Sequence, residues 1–183
     1  MLISEKVDPV ESVQVGESLP DVQGIAADAI SQALEYCAQK LGLRDGHAAL
    51  ACLCEGERAA YQYCAYSLAR QAAQIVGSWD EHVRSVYVID YDATPVDLCF
   101  ACEGQSWPVH VIVWTECKTH ALDALTSVLD RALTRRYRGL VGCGDLEHVL
   151  DVQVIDDADV ENRMGYGAML ASIHQRPIQV WSR

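Results

Sequence analysis

The spacing of apolar residues changes period near residue 80, and that change decides what the chain can fold into. Before it, in LPDVQGIAADAISQALEYCAQKLG, apolar side chains fall at Val22, Ile25, Ala26, Ala29, Ile30, Ala33, Leu34, Cys37 and Leu41. This is the i, i+3, i+4, i+7 stripe of a helix, opened by Pro20 and Asp21 and closed by Gly42. A second helix is expected over 57–76, closed by Gly77 and Ser78, while the apolar run at 47–54 has no period that separates helix from strand. After the change, β-rich segments at 85–92, 96–103 and 109–116 are separated by ATP and GQSWP, which read as hairpin connections of an antiparallel meander.

Downstream, Leu122, Leu125, Leu129, Ala132 and Leu133 share one face of a helix over 119–138, with Asp123 in its first turn and arginines in its last. A strand at 149–155, a helix over 159–173 and a short strand IQVW after Pro177 complete the chain. The expected fold class is α/β, with a mixed sheet of about five strands (the three-stranded meander, then α-β-α-β), helices on its faces and an N-terminal helical pair. A right-handed crossover through 119–138 sets strand 149–155 parallel to and beside strand 85–92. That order is similar to the ribonuclease H-like fold, as an analogy of element order without a shared sequence motif. Residues 1–20 read as a loose arm and 21–183 as one domain, helical over 21–77 and sheet-containing over 84–183.

The 183 residues, half of them apolar, suffice for a buried core. A formal charge of −12 repels phosphate backbones and anionic lipid, so extended nucleic-acid binding and membrane binding are not expected. No run reaches the roughly 20 apolar residues of a membrane span, and no export signal opens the sequence, so a cytoplasmic location is expected. The eight cysteines then read as reduced, mostly buried thiols.

Two β segments end in aspartates, VYVIDYD and VQVIDDAD. If they lie parallel and adjacent, Asp90, Asp92, Asp156 and Asp157 gather at one end of the sheet, with Asp97 and Glu116 beside them. Carboxylates so gathered need arginines, solvent or a divalent cation to offset their repulsion. The candidate cofactor is Mg²⁺ or Mn²⁺ on Asp90, Asp156 and Asp157, with Asp92 and Glu116 as supporting ligands or bases. Two such ions about 4 Å apart support phosphoryl or nucleotidyl transfer or hydrolysis on a small phosphorylated substrate or nucleotide. Against this stands plain turn chemistry, with DATP as a turn and Asp159 as a helix N-cap.

Other patterns compete. Cys99, Cys102, Cys117 and His120 follow C-x2-C-x14-C-x2-H, the spacing of a treble-clef zinc site. Zinc is the lesser expectation, because a regular strand at 96–103 carries Cys102 about 15 Å from Cys117. Cys117 ahead of a helix, with His120 within a turn, is a candidate nucleophile whose plainer reading is a quiet thiol. Gly142 and Gly144 lack the following helix of a dinucleotide loop and read as a connection. The cluster Arg131, Arg135, Arg136 and Arg138 complements a helix C-terminus. The alternative function is a non-catalytic protein-interaction or homo-oligomeric module that uses the alanine-rich N-terminal helices.

Overall fold

The computed structural model describes residues 21–89, 108–142, 144, 146–172 and 177–183. Three helices come first. Helix α1 (Val22–Leu41) starts where the Asp21 carboxylate accepts the Gly24 N–H, and ends at Gly42 with φ of 67°. There the Leu43 N–H reaches back to the Ala38 carbonyl at 2.8 Å, a Schellman closure. The ambiguous apolar run becomes helix α2 (Gly46–Cys54), because Asp45 caps it through the Ala48 N–H at 3.0 Å. Helix α3 (Arg58–Trp79) runs straight through Gly77 and Ser78, which were expected to close it.

Gly77 serves packing and not termination. A Cβ built there would lie 2.4–2.6 Å from carbons of the Trp181 indole, so the bare glycine is the notch into which that ring fits. The alanine faces of α1 and α3 are buried, among them Ala26, Ala29, Ala33, Ala65, Ala69 and Ala73. These alanine faces are therefore taken up inside the chain, where small side chains let the helices approach closely.

Among the described residues, four strands form one mixed sheet: β1 (Val83–Val88), β2 (Val109–Thr115), β3 (Leu150–Ile155) and β4 (Ile178–Ser182), in the order β3-β2-β1-β4. Strand β1 is antiparallel to both β2 and β4, and β2 is parallel to β3. Among the described residues neither a fifth strand nor the ribonuclease H-like order is found; the expected strand at 96–103 lies outside them. Strand 149–155 was expected beside β1. It pairs instead with β2, the strand that precedes it in sequence, through the crossover helix α4 (His120–Val141), while β4 takes the free side of β1.

Expected pleat parity holds for the described residues. Val86, Val88, Val111, Val113 and Leu150 join one core with Leu122, Leu125, Leu129 and Leu133 of α4, while Asp151 and Gln153 point to the other face. Two right-handed crossovers that travel opposite ways along a sheet lie on opposite faces. Accordingly α5 (Asp157–Glu161), which leaves β3 toward β4, bonds through Asp157 to Trp114, whose parity is opposite to that of the core valines. The helix expected over 159–173 is broken, with α6 (Gly167–Leu170) following Arg163 at φ 53° and Gly165 at φ 48°. These left-handed residues turn α6 back onto α5, where a Cβ on Gly167 would meet the Asp159 carbonyl oxygen at 2.4 Å.

Cys37 and Cys64 are buried and burial pushes the Cys64 thiol up to about 12. No helix of the described residues is long and apolar enough to cross a membrane.

Replacing Gly77 by Ala is expected to lower stability by about 1–3 kcal/mol, because the added methyl must displace the Trp181 ring. Urea denaturation checks this. An unchanged midpoint would mean that the ring does not occupy the notch in solution.

Candidate functional site

The carboxyl end of the β2/β3 pair collects three of the acidic residues singled out in the sequence. Glu116 follows β2, Asp156 caps α5 and Asp157 begins it. Each is already engaged. Asp157 Oδ2 accepts from Arg84 Nη2 at 2.7 Å and its Oδ1 accepts from Trp114 Nε1 at 2.9 Å. Glu116 lies 3.7 Å from the same guanidinium and 3.4 Å from His82 Nδ1. Asp156 and Asp159 form a reciprocal capping box, each side chain accepting the other's backbone N–H.

Lys118 completes this neutralisation, its Nζ 2.6 Å from Asp159 and 4.0 Å from Asp156. The hydrogen bond between them raises the Lys118 pKa and lowers that of Asp159, a consistent pair of shifts. Arg84 also lies over the Trp114 ring at 5.9 Å. Repulsion among carboxylates, which motivated a divalent cation, is thus offset by side-chain cations.

The remaining proposed ligands do not join this group among the described residues. Asp90, Asp92 and Asp97 lie outside them, as do Cys99 and Cys102 of the zinc pattern. Ile89 donates its N–H to the carbonyl of His110, which pairs with Asp151, so the last described residues of β1 lie at the end of the sheet opposite Asp156. The expected adjacency of β1 and β3 as parallel neighbours is not found, because β2 stands between them and runs against β1. Among the described residues, no three His, Cys, Asp or Glu side chains are grouped to hold a metal ion. Cys117 and His120 flank the Thr119 cap of α4.

A second arrangement, absent from the sequence reading, occupies the amino end of β3. Asp130 of α4 is 6 % exposed. Its Oδ1 accepts from Leu150 N–H at 2.8 Å, Val149 N–H at 3.0 Å and Thr134 Oγ1 at 3.2 Å. Its Oδ2 lies 2.6 Å from His148 Nδ1, and that hydrogen bond raises the histidine pKa. A cavity of about 390 Å³ opens beside the pair, lined also by Ser127, Arg131, Asp151 and Val152. Asp151 is occupied by His110 and Gln153, each at 2.7 Å. The signal available in the sequence was the row Thr126, Asp130, Thr134, polar residues at i, i+4 and i+8 within an apolar stripe.

No protein-family model, no curated protein and no solved structure matches the chain.

Two measurements follow from these geometries. Asp157→Asn removes an ion pair whose arginine is half-exposed and is expected to cost about 0.5–1 kcal/mol in urea denaturation. A gain in stability would show that repulsion dominates this end of the sheet. For His148 the folded pKa is raised, so its contribution is fully present below the unfolded value near 6.5 and disappears as pH rises through the folded value. The stability difference between the wild-type protein and His148→Gln should therefore be largest in mild acid and shrink toward alkaline pH. A difference that grows with pH would contradict the Asp130 pairing.

Proposed function

We propose that the chain is a protein-interaction module whose contact surface is the outer face of α1 and α3. The observation that carries this reading is a tyrosine cluster bearing cations. Tyr36 lies edge-on to Tyr63 at 6.5 Å and tilted against Tyr66 at 6.2 Å. Lys40 Nζ stands 5.4 Å from the Tyr36 ring and the Arg70 guanidinium 5.9 Å from that of Tyr66. Tyrosine and arginine are enriched at the energetic centres of interfaces, because they offer large contact area with polar tips.

The cluster borders a groove of about 750 Å³ between the two helices, lined by Gln32, Gln39, Arg70, Gln71 and Gln74. Amide side chains there match a polypeptide backbone. On a chain of net charge −12, a patch with exposed Lys40, Arg44 and Arg70 against the one carboxylate of Glu35, which accepts the Gly46 N–H, favours an acidic segment. At the acidic end of the sheet, by contrast, Arg84 and Lys118 already supply the positive charge that a divalent ion would bring.

Titrating the labelled protein with an oligoglutamate peptide should shift amide signals of α1 and α3 saturably. Arg70→Glu should weaken that binding by about tenfold or more, and added salt should weaken it too. Shifts that map elsewhere, or an unaltered affinity in Arg70→Glu, would remove this reading.

A further inference from the structure

The Asp130–His148 pair lies on different elements from the tyrosine surface and supports a separate inference. We propose that the cavity between α4 and the amino end of β3 binds a small oxyanion, such as a phosphate or carboxylate group, between His148 Nε2 and the Arg131 guanidinium.

Asp130 Oδ1 already receives three donors, two of them backbone amides of Val149 and Leu150, so the carboxylate cannot rotate to meet a ligand. Its Oδ2 holds His148 by Nδ1, where the carboxylate requires a donated proton, so Nε2 is the ring nitrogen not committed to Asp130. The imidazole is 61 % exposed, so a ligand can reach it. A fixed carboxylate that orients a histidine from behind is how acid–base groups are made directional.

Protonated His148 is balanced by Asp130, whereas Arg131 lines the same cavity with no ion-pair partner among the described residues. Asp151, the other acid on the cavity wall, is held by His110 and Gln153. Glu147 neighbours His148 in sequence and is exposed. Arg131 is thus the cation left to attract an anion, with the Ser127 hydroxyl on the same wall as a further donor. Pro108 and Val152 give the cavity an apolar side that limits competition from water.

When dihydrogen phosphate meets neutral His148, one proton passes from the phosphate to Nε2. Hydrogen phosphate then faces an imidazolium, and the unchanged Asp130 carboxylate compensates the new charge. Neither an oxidant nor a metal enters this step.

The test uses the full chain, inorganic phosphate as probe, and the His148 ring signals in NMR near neutral pH; acetate in a parallel titration separates phosphate from carboxylate selectivity. The expected result is a saturable shift of His148, with affinity reduced about tenfold in Arg131→Gln and lost in His148→Gln. Both substituted side chains are exposed, so folding is retained and can be verified by unchanged amide spectra elsewhere. Shifts that stay linear for both anions would overturn the proposal, as would equal affinity in Arg131→Gln. The pair would then be only a brace for the loop ahead of β3.

Discussion

The Asp130 carboxylate determines where β3 begins. Two amides at the start of that strand, those of Val149 and Leu150, donate to one buried oxygen on α4. A buried carboxylate without such donors would be strongly unfavourable, so the helix and the strand must meet at this point or not at all. The crossover helix then spans directly from β2 to its neighbour, and β3 is set parallel to β2. From that pairing follow the direction in which β3 ends, the position of Asp157 beside Arg84 and Trp114, and the face over which α5 departs.

Local features of the fold were legible because they rest on short-range physics. The stripe from Val22 to Leu41, its Asp21 and Gly42 ends, the pleat parity of β1 and β3, and the start of α4 all appear where periodicity placed them, while α4 runs three residues past its expected end at 138. Strand adjacency was not legible, since the same elements allow β3 to lie beside β1 or beside β2, and the choice depends on a single aspartate that periodicity treats as an interruption. Gly77 was misread for a related reason. A glycine within a helix signals termination by local rules, whereas here its role is set by Trp181, far away in sequence.

The acidic residues illustrate how charge counts mislead. Glu116, Asp156 and Asp157 do lie at one end of the sheet, but the basic residues that meet them, Arg84 and Lys118, belong to no recognisable pattern with them. Their partners come from β1 and from the turn before α4, so only the sheet's register brings them within reach. An excess of acids over bases in the whole chain says little about any one neighbourhood. Arg84 and Lys118 stand where these acids crowd, and Lys40 and Arg70 where the tyrosines cluster.

Helix α3 joins two regions that otherwise have no contact in sequence. It is 22 residues long, or about 33 Å, and contains no proline, so it behaves as a single stiff rod. One end carries Tyr63 and Tyr66 at the surface; the other holds the indole of the edge strand in its notch. One unbroken helix therefore fixes both the spacing of the aromatic rings and the seat of the outermost strand, so the two surfaces keep a common frame.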